Sequence, residues 1–228
     1  MFTVLDSAVP IACWSCSVGH NDSTLFCPHC KKIQPPPGGD YFSVFTLEPK
    51  LNLDLPALEQ EFHRLSRRLH PDRFARAQEN EKQWSLADTA LLNDAYRTLK
   101  DPLARTEYLL KLLGIRDSGN DANERKSAAA PPDLLEEVFD LNMQLDEMRA
   151  ARKSGQHDAD LEASLQAAQN KFQSLLATVD ADLHTAWNAW DSGDAATRPA
   201  TQKSMLALLD RRRYLSNLVR DVTEVLGA

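Results

Sequence analysis

A chain of 228 residues, 43% of them hydrophobic, can bury a sizeable core in one or two domains, or in more if some are small. The formal net charge of −7 and the pI near 5.4 argue against nucleic acid as the main partner. No apolar run approaches the roughly 18–20 residues of a membrane span, and the segment from Met1 to Ile11 lacks the layout of a secretory or import signal. We therefore expect a cytoplasmic protein that does not enter a membrane.

The cysteines all lie in one N-terminal segment, as two C-x-x-C pairs separated by ten residues. Each pair can form a tight turn that offers two sulfurs to one ion, and the spacer brings the two turns together. We predict one structural zinc ion per chain, with iron in the same sulfur cage as the main alternative. The predicted ligands are Cys13, Cys16, Cys27 and Cys30, with His20 and His29 as bystanders.

Other uses of these cysteines fit the sequence less well. Two disulfides are disfavoured in a reducing compartment, and a redox C-x-x-C comes singly within a βαβ unit that the pattern here does not predict. The segment is too short to fold on hydrophobic burial, so metal binding would supply its folding free energy. The run Pro35-Pro36-Pro37-Gly38-Gly39 is a stiff and then flexible linker. We place the zinc module and this linker at residues 1–39.

The next segment predicts two helices joined by His70-Pro71-Asp72. Asp54 is a suitable N-cap for the first helix and Pro56 fits its first turn. Pro71 ends it, because proline disfavours helical geometry in the preceding residue. After a polar connection, a second helix is predicted from Trp84 to Leu99. One apolar stripe marks the first helix: Leu58, Phe62, Leu65 and Leu69.

Basic residues are concentrated in this hairpin, although the chain as a whole is acidic. This local positive charge indicates a particular acidic partner. The basic residues are Arg64, Arg67, Arg68, Arg73 and Arg76. On its own the tripeptide could be a proline helix stop with polar neighbours. Its setting resembles the J domain, in which a His-Pro-Asp loop joins two antiparallel helices. The resemblance extends from Asp40-Tyr41-Phe42-Ser43, past the run from Asn93 to Leu99, to Asp101-Pro102 and beyond. We place the J domain at residues 40–115.

Helical periodicity continues through the rest of the chain. The segment from Leu103 to Leu113 predicts one more helix, which ends at Gly114. Residues 116–132 are polar and unpatterned and are interpreted as a connector. Three amphipathic helices with short connections follow in residues 133–228 and predict an antiparallel bundle. The predicted fold class is therefore all-α: a small zinc-binding module, a J domain and a C-terminal three-helix bundle.

The first bundle helix carries two apolar stripes. The core stripe is Leu134, Val138, Leu141, Leu145 and Met148. A second stripe, one residue out of phase, is Leu135, Phe139 and Met143. A helix that is apolar on two faces either packs against another domain or meets a partner. Tyr214 is similarly off the core phase of the last helix, and the pattern alone leaves both explanations open.

Together these features resemble the HscB family, the J-type co-chaperones of iron–sulfur cluster assembly, over essentially the whole chain. The features are the tetracysteine segment, Phe74 after His-Pro-Asp-Arg, the run from Glu107 to Leu112 and the acidic bundle. The cysteine module resembles that of the longer, animal-type members, since many bacterial ones begin at the J domain. The resemblance implies binding to a DnaK-type ATPase chaperone (HscA or its equivalent). The residues implied are His70, Pro71 and Asp72, with Arg64, Arg67 and Arg68 of the basic helix.

The resemblance also implies that the first bundle helix binds the cluster scaffold IscU. The family's contact positions map onto Leu135, Glu136, Phe139, Asp140, Met143, Glu147 and Tyr214. Met143 stands where the best-known bacterial members carry an acid, so we expect a weaker electrostatic contribution to scaffold recognition here.

The sequence shows no nucleophile with a placed base and no glycine-rich phosphate loop, so we predict a protein that binds and presents rather than an enzyme. One rival function is a general J protein for unfolded clients, to which four methionines give little support. Another is a zinc-ribbon regulator that binds nucleic acid. That regulator would need more basic residues near the cysteines than Lys31 and Lys32.

Overall fold

The computed structural model describes residues 11–20, 24–115 and 131–227. Within these ranges the chain is mainly helical, and the predicted all-α class is confirmed. The chain forms two compact units, and the boundary between them lies between Leu112 and Leu113. The predicted connector lies outside the described residues except for its last two positions. No helix in the described ranges combines the length and the apolar character needed to cross a membrane.

The first unit contains a small two-stranded sheet and a group of helices. Strands β1 (Ile11–Ala12) and β2 (Gly19–His20) pair antiparallel. The helices are α1 (Tyr41–Val44), α2 (Leu55–Leu69), α3 (Glu79–Lys100) and α4 (Pro102–Leu112). A short 3-10 turn, Pro71–Phe74, connects α2 to α3. This is the arrangement predicted for a J domain preceded by a cysteine module.

Helix α2 begins and ends where the sequence predicts. The Asp54 carboxylate accepts a hydrogen bond from the backbone N–H of Ala57 at 3.0 Å, and Pro56 lies in the first turn. His70, which precedes Pro71, leaves the helical conformation with ψ 127°. Phe62 of the predicted stripe stacks on Tyr96 of α3, with ring centroids 4.1 Å apart. The rest of the stripe is buried: Leu58, Leu65 and Leu69.

Helix α3 begins at Glu79, five residues before the predicted start at Trp84. The Glu81 carboxylate accepts the backbone N–H of Gln78 at 3.2 Å, which satisfies one of the N–H groups left unpaired at this end. Neither residue is one of the short polar residues that usually signal a helix start, so the sequence interpretation assigned this turn to the connection. The loop between α2 and α3 is therefore shorter than predicted.

The cysteine module packs directly against α2 and α3. The Arg68 guanidinium lies 3.9 Å from the centroid of the Phe26 ring, and Lys32 pairs with Glu81 at 3.0 Å. Trp14 makes an edge contact with Trp84, with ring centroids 5.4 Å apart. The linker of prolines and glycines thus joins two parts that are in contact within one unit.

The second unit is an up-down-up bundle. A 3-10 turn, Pro132–Leu134, leads into α5 (Leu135–Lys153), which is followed by α6 (Ala159–Ser192) and α7 (Arg198–Gly227). Ion pairs connect the three helices. Arg211, near the middle of α7, pairs at 2.8 Å with Asp133, which lies just before α5. Lys171 of α6 pairs with Glu137 of α5 at 2.9 Å, and Arg212 of α7 pairs with Asp180 of α6 at 2.5 Å.

The core positions of α5 are confirmed, since Leu134, Val138, Leu141, Leu145 and Met148 are all buried. In α7 the pattern misplaces part of the core. The sequence pattern of this helix predicts a core stripe of Met205, Leu208, Leu215, Val219, Val222 and Leu226. In the structure Leu208, Val219 and Leu226 are only half-buried. Their neighbours Leu209, Leu218 and Val225 are buried instead. The last helix carries two adjacent apolar stripes with similar numbers of apolar residues. Contact with α5 and α6 decides which stripe faces the core.

One buried carboxyl group makes stability depend on pH. Asp88 of α3 is fully buried, and neither of its oxygens has a hydrogen-bond partner among the described residues. Desolvation raises its pKa to about 7. The unfolded chain ionises this carboxyl near pH 4. The protonated form therefore stabilises the fold fully below pH about 4, and this contribution is lost as the pH rises to about 7.

We expect Asp88→Asn to remove this dependence, because the amide does not ionise. Between pH 4 and pH 8, the free energy of unfolding of the wild type should fall by about 2–4 kcal/mol relative to the variant. Urea denaturation at both pH values measures the difference. Asp94→Asn, on the exposed face of the same helix, is the control and should track the wild type. If the difference in the free energy of unfolding between the wild type and Asp88→Asn were the same at both pH values, the assignment would be contradicted.

Candidate functional site

The cysteine sulfurs converge on one point. The Sγ atoms of Cys13 and Cys30 are 3.6 Å apart and those of Cys16 and Cys27 are 3.8 Å apart, and all lie within 4.8 Å of one another. A disulfide has its sulfurs about 2.0 Å apart. A tetrahedron with metal–sulfur bonds of about 2.3 Å has edges of about 3.8 Å. The spacing fits a four-thiolate metal site and excludes paired disulfides.

The electrostatics of the four sulfurs call for a cation. Desolvation opposes ionisation of Cys13, but backbone hydrogen bonds from Cys16 and Ser15 and the adjacent thiols outweigh it and lower its pKa to about 6. The backbone of Val18 favours the Cys16 thiolate, yet desolvation and the neighbouring cysteines raise the Cys16 pKa to about 11. One thiolate thus forms readily and suppresses the next. A positive ion at the centre would stabilise them together.

Two residues that the sequence analysis missed support the metal site. Gln34 is buried, and its amide Nε2 lies 3.4 Å from the Cys13 sulfur and 3.0 Å from the Lys32 carbonyl. Trp14 donates its indole N–H to the Ile33 carbonyl at 2.6 Å. The Gln34 contact can orient the Cys13 sulfur and moderate its charge, and the Trp14 bond holds the backbone beside Cys13 against Ile33. His29, expected as a bystander, is exposed and outside the sulfur cluster.

The His-Pro-Asp loop is presented to solvent. The Asp72 side chain is 91% exposed and that of His70 is 58% exposed. The His70 Nδ1 accepts the backbone N–H of Asp72 at 3.3 Å, and the His70 carbonyl accepts that of Arg73 at 2.9 Å. The loop therefore holds its own shape, and the exposed Asp72 carboxylate lies 3.6 Å from the His70 Nδ1.

The three arginines of α2 have different surroundings. Arg67 is exposed. Arg64 is exposed too, but Glu61 holds it in a two-pronged ion pair that raises its pKa. Arg68 is half-buried beneath the cysteine module. Desolvation, followed by repulsion from Arg64 and Arg73, lowers its pKa. Positive charge is therefore concentrated beside the loop.

The second stripe of α5 is exposed, whereas the first is fully buried. Leu135 is 56%, Phe139 65% and Met143 56% exposed. The acids among the mapped positions lie on the same exposed side of the helix: Glu136, Asp140 and Glu147. Tyr214 of α7 is half-buried, and desolvation raises its pKa. Tyr214 lies three residues after Arg211, which pairs with Asp133 just before the start of α5.

The fold and the exposed His-Pro-Asp loop define a J-domain co-chaperone. The chain is 32% identical over 211 residues to the mouse iron–sulfur cluster co-chaperone protein HscB, covering 90% of this chain and 79% of the mouse protein. It is 37% identical over 136 residues to a Vibrio cholerae co-chaperone protein HscB homolog, covering 60% and 72%. These relationships identify the chain as a member of the HscB family of iron–sulfur cluster co-chaperones.

Solved structures agree with this assignment. The crystal structure of human co-chaperone protein HscB superposes with a TM-score of 0.64 at 27% identity, covering 94% of this chain and 98% of the human one. The chaperone HscB from Vibrio cholerae gives a TM-score of 0.56 at 28% identity, covering 83% and 98%. No protein-family model matches the chain.

The sulfur geometry predicts one metal ion per chain in protein purified without chelator. Elemental analysis of the wild type should show about one equivalent, and Cys27→Ser should lose most of it, because a buried hydroxyl replaces a thiolate ligand. His29→Ala is the control and should retain the metal. Intact disulfides, or a folded segment free of metal, would contradict the site.

Proposed function

We propose that this protein binds an IscU-type scaffold through α5 and delivers it to a DnaK/HscA-type 70 kDa chaperone, whose ATPase it stimulates. The observation that carries the proposal is the presence, in one chain, of an exposed His-Pro-Asp loop and an exposed apolar face on a helix whose other face is core. The first feature addresses the chaperone and the second the client. The protein's own contribution is binding and presentation, without bond chemistry.

The loop would act on the chaperone through one charge held in a fixed frame. Pro71 ends α2 and fixes the backbone, and His70 orients the loop through its contact with the Asp72 N–H. The Asp72 carboxylate is then free to pair with an arginine of the chaperone in the state that hydrolyses ATP. Removing one partner of a buried interfacial ion pair costs about 2–5 kcal/mol. That loss is large enough to abolish stimulation.

The arginines of α2 would bring the partners together. A group of exposed positive charges raises the rate of encounter with an acidic surface, and this effect is strongest at low salt. Arg67 is best placed to do this, because Glu61 already compensates Arg64 and the module covers part of Arg68. The partner surface is therefore expected to be acidic.

The face of α5 would hold the scaffold. Leu135, Phe139 and Met143 follow one another at single-turn spacing, so they can fill a continuous apolar groove. Exposed apolar residues surrounded by acids are typical of an interface with an apolar centre and a charged rim. Glu136, Asp140 and Glu147 would pair with basic residues of the scaffold, and Tyr214 would extend the contact from α7.

We further propose that the metal is zinc, since closed four-thiolate sites are typical of structural zinc. Free thiols at these spacings fit a reducing compartment such as the cytoplasm. The functional division proposed is a zinc module at 1–39, a J domain at 40–115 and a scaffold-binding bundle at 133–228. A general J protein for unfolded clients remains the rival function. Co-purification that recovers many clients in place of one scaffold would favour it.

We expect Asp72→Asn to remove ATPase stimulation while the fold stays intact. The side chain is almost fully exposed, so the change should alter the free energy of unfolding by no more than about 0.5 kcal/mol. Steady-state ATP hydrolysis by the chaperone and thermal melting, on the same preparations, measure the two effects. Asp94→Asn is the control and should stimulate normally. Normal stimulation by Asp72→Asn, or a collapse of melting temperature together with activity, would contradict the assignment.

The double variant Leu135→Ala/Phe139→Ala should weaken scaffold binding by roughly 2–4 kcal/mol, the range of interface hot spots. Its melting temperature should change little, because both side chains are exposed. Val138→Ala/Leu145→Ala is the matched control on the core stripe and should destabilise the bundle, since each such change costs roughly 0.5–5 kcal/mol. Titration with IscU and thermal melting are applied to the wild type and to both double variants. Early melting of the first variant with normal IscU affinity would assign the stripe to packing within the chain.

A further inference from the structure

A basic cleft opens between the cysteine module and the J domain, beside the turn that carries the His-Pro-Asp sequence. Its volume is about 440 Å³. The module lines one side with Lys31 and Lys32, and the J domain lines the other with Arg68 and Arg73. Glu81 is the only acidic residue among the lining residues in the described part of the chain. Lys32 already compensates this carboxylate at 3.0 Å.

The other cationic groups of the cleft, Lys31, Arg68 and Arg73, form no ion pair with a carboxylate among the described residues. Repulsion from Arg73 is among the causes that lower the pKa of Arg68, after desolvation by burial, so placing these groups together is unfavourable for the isolated chain. Lys31 is exposed, and among the described residues its ammonium donates to the Pro28 carbonyl and forms no ion pair with a carboxylate. Lys31 also adopts φ 63°, a left-handed conformation in which glycine is less costly. Backbone geometry therefore does not call for lysine at this position.

We propose that the cleft binds an acidic segment of the same 70 kDa chaperone that the His-Pro-Asp loop engages, so that the cysteine module adds Lys31 and Lys32 to the chaperone-binding surface. This inference rests on the proposed function, because the chaperone is its partner. Continuity supports it: Arg73 lies in the Pro71–Phe74 turn and Arg68 lies on the basic helix, so the cleft extends that surface without a break. Charge complementarity supports it too, since a partner that fits the basic helix is acidic.

The docking of the module holds the two sides of the cleft at a fixed separation. Phe26 stacks on the Arg68 guanidinium from the module side, and the ion pair of Lys32 with the largely buried Glu81 ties the module to the start of α3. Arg68 is thereby kept in one orientation before the partner arrives. A preorganised side chain loses less conformational entropy on binding. The module thus both orients a J-domain arginine and supplies charges of its own.

The test is a charge reversal at Lys31 in the full-length, metal-loaded protein. Affinity for the ATP-bound DnaK/HscA-type chaperone of the same cell is measured at low and at high salt. Lys31→Glu should raise the Kd about 3–10-fold at low salt, and the effect should shrink at high salt because ions screen an exposed charge. Lys111→Glu, an equal charge reversal at an exposed site outside the cleft, should stay within about 2-fold of the wild type. Metal content and melting temperature should match the wild type in both variants.

Each result decides the proposal. If Lys31→Glu loses metal, Lys31→Gln is used and should show about half the effect in log Kd at low salt. An unchanged Kd for metal-loaded Lys31→Glu or Lys31→Gln would overturn the cleft assignment, and so would an equal weakening in Lys111→Glu. Binding of a single-stranded RNA oligonucleotide that depends on Lys31, with unchanged chaperone affinity, would assign the cleft to nucleic acid. Normal stimulation by Asp72→Asn would instead overturn the proposed function, so the two failures can be distinguished.

Discussion

The end of α2 is the constraint on which the first unit depends. Pro71 stops the helix, which leaves the carbonyl of Leu69 without its helical partner at a position with no access to water. Ser85 of α3 satisfies that carbonyl with a hydroxyl hydrogen bond of 2.6 Å, and Thr89 adds a second contact at 3.4 Å. A buried carbonyl left unpaired would cost about 1–3 kcal/mol. The hydrogen bond therefore ties the helix stop to α3, and the His-Pro-Asp loop begins from a fixed point. The exposed Asp72 carboxylate has a defined position, because the carbonyl of Leu69, just before the loop, is held by Ser85 and Thr89.

The bundle exposes apolar residues of α5 while its fold is held by the buried stripe on the other face of the same helix. Helix α5 has a complete core stripe, and the Asp133–Arg211 and Glu137–Lys171 ion pairs anchor its first turns to α7 and α6. The adjacent stripe then contributes nothing to the described core. Apolar side chains exposed at single-turn spacing lower solubility unless a partner covers them. The acids around them place charge at the rim of this apolar face, as the proposed scaffold interface requires.

Features set by local sequence could be predicted, and those set by long-range contacts could not. The C-x-x-C spacing predicted the sulfur cluster, and Asp54, Pro56 and Pro71 predicted the limits of α2. The clean a/d stripe predicted which α5 residues are core. The start of α3 was missed because its cap uses Gln78 and Glu81, which also occur freely inside helices. In α7 the two equivalent stripes made the phase ambiguous. Gln34 was missed because one glutamine carries no periodic signal, and its role is visible only when its amide is found 3.4 Å from the Cys13 sulfur.

The docking of the cysteine module against α2 and α3 is also set by long-range contacts, so it could not be predicted from the sequence. It affects the surface beside the His-Pro-Asp loop. Its contacts pair Phe26 with Arg68, Lys32 with Glu81 and Trp14 with Trp84, residues that are far apart in sequence and follow no pattern. The module has too few apolar residues to hold its shape without an ion. An ion held by the four sulfurs would therefore also help to maintain the aromatic cover on Arg68 and the counter-charge for Glu81, whose side chain is only 5% exposed. Loss of the ion would uncover the arginine and leave Glu81 without the ammonium that compensates it. Metal occupancy would in this way influence the charge and order of the surface beside the His-Pro-Asp loop, through the contacts of Phe26 with Arg68 and of Lys32 with Glu81.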